Sequence, residues 1–176
     1  ALQIGGRLFQ TYCVQCHGTD MRGSKGFPNL VDGDWLYPGT PEGIKQTIME
    51  GRNGAMPPFG AAFKPEQITD VAQYVLSLSG RSTAADAAKR GEETFKTTCA
   101  ACHGPEGKGN QALGAPNLTD NVWLYGGSLA TVTETIAKGR QGQMPAHKDL
   151  LGEPRVHLLA AYVYAQSQEQ AAAPKK

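Results

Sequence analysis

The sequence predicts an all-α protein made of two copies of one small helical unit, and three observations carry that expectation. The two halves repeat almost throughout, apolar residues recur at helical spacing behind helix-start signals, and no segment shows convincing strand alternation. The length of 176 residues leaves room for one or two small domains.

The repeat is detailed. Gly5 and Phe9 match Gly91 and Phe95 at an offset of 86, which Cys13 and His17 keep with Cys99 and His103. Two fewer residues separate Gly18 from Pro28 than Gly104 from Pro116, and from there the offset is 88. Pro28-Asn29-Leu30 then matches Pro116-Asn117-Leu118, and Trp35-Leu36-Tyr37 matches Trp123-Leu124-Tyr125. Gly51-Arg52, Met56-Pro57 and Tyr74-Val75 match Gly139-Arg140, Met144-Pro145 and Tyr162-Val163. The pattern reads as a tandem duplication, with one domain over 1–80 and a second over 81–176. The small and polar stretch 79–88 is the expected linker, and the Ala- and Gln-rich 168–176 the expected frayed tail.

Each half supplies its own helix signals. Ile4, Leu8, Phe9 and Tyr12 have helical spacing. Thr40-Pro41-Glu42 reads as a helix start with Pro in the first turn, the helix running through Ile44, Ile48 and Met49 to Gly51. Pro65-Glu66 starts another, with Ile68, Val71, Ala72 and Val75 on its inner face. Glu153-Pro154 starts the equivalent, with Val156, Leu159, Ala160 and Val163 inward.

The chemistry lies in Cys13-Val14-Gln15-Cys16-His17, which recurs as Cys99-Ala100-Ala101-Cys102-His103 and uses all four cysteines. Cys-x-x-Cys-His is the attachment signature of c-type haem: two thiols add across the porphyrin vinyl groups, and the adjacent His takes the iron from below. One helical turn sets the three side chains on one side of the backbone, where they meet an edge of a flat macrocycle. A single motif could be a redox pair or half a zinc site. Two in matching places of a repeat point to a dihaem cytochrome c, with two covalent haems c as cofactors. A small unit buries limited apolar area alone, and the haem would supply much of each core.

The bulk numbers agree. The formal net charge is +1, and two propionates per haem would bring the holoprotein near neutral or mildly acidic. The only basic run is the final Pro174-Lys175-Lys176, so nothing points to nucleic acid. No apolar run reaches about 18 residues, the least a membrane helix needs. The chain begins at Ala1 and runs straight into a helix, so a signal peptide or a membrane anchor is expected upstream. Haem is attached to this motif outside the bacterial cytoplasm, which implies a periplasmic location.

An electron-transfer haem needs a sixth ligand. Of the four methionines, Met56 and Met144 occupy equivalent places, each followed by Pro in a Gly-containing stretch; they are the expected ligands, Met56 for the first haem and Met144 for the second. The metal-ligand set is thus His17, Met56, His103 and Met144. Met21 and Met49 have no repeated partner and read as core filler. His147 stands where the first half has Phe59 and is the one rival ligand, for the second haem; His157 reads as a surface residue.

Pro28 and Pro116 follow their histidines at distances that resemble class I cytochromes c, whose proline carbonyl accepts from the proximal imidazole. Gly5 with Phe9 against Tyr74, and Gly91 with Phe95 against Tyr162, resemble the contact between first and last helices of that fold. The expected architecture is therefore two tandem class I cytochrome c domains. Trp35, Trp123, Arg52 and Arg140 are either propionate partners or ordinary core and surface residues.

Over residues 1–167 the sequence closely resembles the dihaem cytochrome c subunit of cbb3-type oxidases. The stretches GKGNQALGAPNLTDNVWLYGG, GQMPAHKDLLGE and HLLAAYVY carry the likeness in the second half, and GSKGFPNLVDGDWLYPG and GRNGAMPPFG in the first. The resemblance implies electron transfer from soluble donor cytochromes, through both haems, toward the haem-copper subunit that reduces oxygen. It also implies partner oxidase subunits, an N-terminal anchor that this chain lacks, and no bond-making catalysis here. A free-standing dihaem shuttle of the cytochrome c4 type, and a dihaem peroxidase, are the alternatives.

Overall fold

A computed structural model describes residues 1–81 and 83–172, with side chains as far as Glu169. The helices are α1 (Leu2–Tyr12), α2 (Val14–His17), α3 (Pro41–Glu50), α4 (Pro65–Leu78), α5 (Ala85–Thr94), α6 (Ala100–His103), α7 (Leu129–Lys138) and α8 (Lys148–Ala172). A π-helical turn, Phe95–Cys99, joins α5 to α6. Two short strands, β1 (Arg52–Met56) and β2 (Arg140–Met144), pair in a two-stranded sheet. The all-α expectation of class I cytochrome c units therefore holds, apart from these strands. Strand alternation was invisible in sequence because each is only five residues long and largely polar, with a Gly at its centre, although their burial does alternate.

The helix starts follow the expected chemistry. Thr40 caps α3 by accepting from the Gly43 N–H at 3.1 Å, ahead of Pro41. Ser128 does the same for α7 through Thr131 N–H at 3.1 Å. In α4 the Gln67 side chain accepts from the Lys64 N–H at 3.0 Å, ahead of Pro65. The start at Glu153-Pro154 lies inside α8, immediately after a break at Gly152, whose φ is 70°.

The compact units do not follow the halves of the repeat. Unit 1 comprises Ala1–Asn53 and Gly142–Lys176; unit 2 comprises Gly54–Gln141. The expected boundaries, 1–80 and 81–176, are corrected accordingly. Unit 1 packs α1 and α3 on α8, and unit 2 packs α4 on α5 and α7. Each unit thus combines the first helix of one repeat with the last helix of the other. Gly5 is buried on α1 because a Cβ there would meet the Leu158 carbonyl and the Tyr162 side chain. Gly91 has the same place in unit 2, against the Asp70 carbonyl. Phe9 rests on Tyr162 with ring centroids 6.1 Å apart, and Phe95 on Tyr74 at 5.2 Å. The expected pairs, Phe9 with Tyr74 and Phe95 with Tyr162, are exchanged. The reason is that duplicated helices present interchangeable faces, so periodicity tells which face is buried and not which copy covers it.

Two cores follow. Phe9, Met21, Val31, Ile44, Ile48, Val156, Leu159 and Val163 belong to the first. Ile68, Val71, Ala72, Val75, Leu76, Phe95, Val132 and Ile136 make up the second. Ile4 and Tyr12, helical in spacing, are exposed; Phe9 carries the contact of α1.

Two further expectations need correction. The linker 79–88 is short, because α5 already begins at Ala85; Ser82 lies outside the described residues. The stretch expected to fray is helical as far as Ala172, since Ala and Gln are good helix formers; residues 173–176 lie outside the described residues. Among the described residues no helix is long and apolar enough to cross a membrane.

Candidate functional site

Each unit holds one Cys-x-x-Cys-His turn. In unit 1, α1 ends at Tyr12, Cys13 caps it, and α2 carries Cys16 and His17. In unit 2 the π-helical turn leads into α6, which carries Cys102 and His103. All four cysteines are free thiols, with Cys13 and Cys99 half-buried and Cys16 and Cys102 exposed. Burial, and then the neighbouring cysteine, pushes the thiols of Cys13 and Cys99 up to about 11.

The histidines are buried and oriented. His17 Nδ1 lies 3.1 Å from the Pro28 carbonyl, and His103 Nδ1 lies 3.2 Å from that of Pro116. A carbonyl only accepts, so Nδ1 carries the proton and Nε2 keeps its lone pair for a metal. Burial holds both imidazoles below their ordinary value, against the opposing pull of the proline carbonyls; for His17 the nearby His147 adds to the lowering. The proline loops are themselves fixed. Asn29 Oδ1 accepts from Val31 N–H at 2.9 Å, and Asn117 Oδ1 from Thr119 N–H at 3.0 Å. Leu30 N–H donates to Met21 O at 2.8 Å and Leu118 N–H to Gly107 O at 2.7 Å.

The methionines are exchanged between the repeats. Met144 packs on the core of unit 1, together with Cys13, Val14 and Trp35. Met56 packs on the core of unit 2, together with Cys99, Ala100 and Trp123. The backbone secures this: His147 N–H donates to Ile48 O at 2.9 Å, and its repeat counterpart Phe59 N–H donates to Ile136 O at 3.0 Å. The grouping of Met56 with Cys13, Cys16 and His17, and of Met144 with Cys99, Cys102 and His103, is therefore corrected. His147 also falls in unit 1, with His17, and not beside the second site. Met21 is a buried part of the first core and Met49 packs at its edge, as expected of filler; His157 is exposed.

The arginines hold a repeated arrangement. Arg52 donates from Nε to Thr47 Oγ1 at 2.9 Å and lies 4.4 Å over the Tyr37 ring. Arg140 donates to Thr135 Oγ1 at 2.9 Å and lies 4.7 Å over Tyr125. The periodic signal for these stacks, Trp-Leu-Tyr followed by Gly-Arg, was present in the sequence, but the pairing of Arg with Tyr was not legible.

The residues fit a covalent haem. Each site offers two free thiols, an imidazole with Nε2 available, and a thioether in the same core. Among the described residues, the buried Trp123 Nε1 and His147 Nδ1 lack a hydrogen-bond partner. Such atoms are costly unless a further group meets them, and haem carries two carboxylates able to accept.

The comparisons agree with this chemistry. A family described as "Cytochrome C oxidase, cbb3-type, subunit III" matches residues 1–75 and 86–163. The chain is 51% identical over 176 residues to the cbb3-type cytochrome c oxidase subunit CcoP of Rubrivivax gelatinosus, covering 99% of this chain and 58% of that protein. It is 47% identical over 165 residues to the FixP subunit of Azorhizobium caulinodans, covering 89% and 56%. With CcoP of Cereibacter sphaeroides the identity is 43% over 175 residues, covering 93% and 60%. The chain thus spans somewhat over half the length of these relatives.

Proposed function

Since the chain belongs to the family of cbb3-type cytochrome c oxidase subunit III, we propose that it carries electrons on two covalent haems c, from soluble donor cytochromes toward the other subunits of such an oxidase. The observation that carries this reading is the twin arrangement of a Cys-x-x-Cys-His turn, a proline carbonyl on the imidazole and a methionine in the same core.

Haem supplies one-electron iron chemistry when bound. The protein's share is attachment, orientation and exclusion. Cys13 and Cys16 tether the first group by one edge, and Cys99 and Cys102 the second. His17 and Met144 would hold the first haem iron, and His103 and Met56 the second. The Pro28 and Pro116 carbonyls fix each imidazole ring and make it a stronger donor. A thioether donor would favour the reduced state and raise the potential. With an imidazole and a thioether both offered to each iron, the chain would serve transfer and leave bond-making to a partner subunit. A periplasmic setting, anchored through sequence outside this chain, suits both haem attachment and contact with a soluble donor.

The test is direct. The protein matured with the haem-attachment machinery should show two haems per chain by pyridine haemochrome and mass, and should relay electrons from reduced cytochrome c to a cbb3-type oxidase depleted of its own subunit III. One haem per chain, or full loading without relay, would sink the reading.

A further inference from the structure

Arg81 sits where the two repeats diverge. Helix α4 closes with Gly80 N–H donating to Ser77 O at 3.0 Å and Arg81 N–H donating to Leu76 O at 3.2 Å. This is the double bond of a Schellman turn, with Gly80 at φ 72° in the left-handed region. The matching residue in the second half is Gln168, and there α8 continues as helix to Ala172. Glycine thus ends one helix where glutamine extends the other. The turn folds Arg81 back on unit 2. Its guanidinium carbon lies 5.3 Å from the centre of the Trp123 ring, and Nη1 donates to the Gly127 carbonyl at 2.8 Å. Gly127 in turn lies so close to the indole that a Cβ would sit 2.8 Å from its Cγ.

The same indole packs on the core that carries Met56 and Cys99, and its Nε1–H is buried without a partner. An unmet indole donor beside a planar guanidinium is a carboxylate-binding pair. In unit 1 the place of Arg81 is taken by Glu169, from the second repeat. The cavity beside Trp35 is lined by Asp32, Tyr164, Ser167 and Gln168, with no basic residue among those lining it.

We infer that Arg81 and Trp123 form a corner for a propionate of the second haem, and that Arg81 thereby raises the reduction potential of that haem. This rests on the haem reading above. Oxidised haem carries one more positive charge than reduced haem, so a nearby cation disfavours oxidation. Arg81 is exposed, so salt weakens the effect.

The experiment is a spectroelectrochemical titration of the holoprotein. In a Met144→His background the remaining near-infrared sulfur-to-iron band of the ferric protein reports the haem of Cys99 and Cys102. There Arg81→Gln should lower the midpoint potential, by more at low than at high ionic strength, and Arg81→Lys should restore much of it. In a Met56→His background the same substitutions should leave the other haem unmoved. An unchanged potential, or equal shifts in both backgrounds, overturns the proposal. Absence of covalent haem from the parent protein overturns instead the haem reading on which it rests.

Discussion

Phe9 lies against Tyr162, 153 residues away, with ring centroids 6.1 Å apart. The equivalent pair, Phe95 and Tyr74, lies at 5.2 Å in the other unit. Both first helices are thus closed by the last helix of the opposite repeat, and the methionines follow.

The exchanged methionines can be separated from the uncrossed pairing. On the two-haem reading, a Cys13→Ser, Cys16→Ser variant should retain only the second haem, and its ferric form should keep one near-infrared sulfur-to-iron band. Adding Met56→His should abolish that band, whereas adding Met144→His should leave it intact. The reverse result would mean that each repeat ligates its own iron.

Double-mutant cycles test the helix exchange independently of the haem. Phe9→Ala with Tyr162→Ala, and Phe95→Ala with Tyr74→Ala, should couple by about 0.5–1.5 kcal/mol in unfolding free energy. Phe9 with Tyr74 should be additive. Phe9→Ala or Phe95→Ala alone should cost about 3–5 kcal/mol, since both rings are fully buried. Coupling between Phe9 and Tyr74 would restore the contiguous domains.

The proposed His/Met ligation predicts slow carbon monoxide chemistry. The ferrous protein at neutral pH should bind the gas poorly, because a thioether must first leave, and air should reoxidise it slowly. Rapid stoichiometric binding in stopped-flow would show an open iron and favour a sensor or enzyme.

The apoprotein should weaken in mild acid. Burial lowers His17 and His103 in the folded state below the ordinary 6.5. The unfolded chain then takes up protons first as the pH falls, so stability is full above about 6.5 and declines below it. The urea midpoint should therefore drop from pH 7.5 to 5.5. A His17→Gln, His103→Gln variant should show a flatter profile over that window; an equally steep one would assign the loss to other groups.

Much of the site was legible without coordinates. The Cys-x-x-Cys-His turns, the prolines at Pro28 and Pro116 and the paired methionines are local signals, set by what one helical turn and one iron require. The helix start at Thr40, and the proline starts of α3 and α4, are equally local, because a capping side chain satisfies backbone donors within three residues of itself. The strands were not legible, since five residues of β1 acquire their pairing only from β2, far along the chain.

The sequence by itself determined the helical class, the duplication and the two Cys-x-x-Cys-His turns. Only the tertiary structure decided which copy of α4 or α8 closes each unit, and hence whether Met56 or Met144 joins His17. The physical reason is degeneracy. Duplication makes the faces of α4 and α8 nearly alike, so burial energy scarcely distinguishes the two pairings. The choice falls to how the chain is routed between them: β1 leads out of unit 1 and β2 leads back into it, an outcome of backbone hydrogen bonding that no residue type announces.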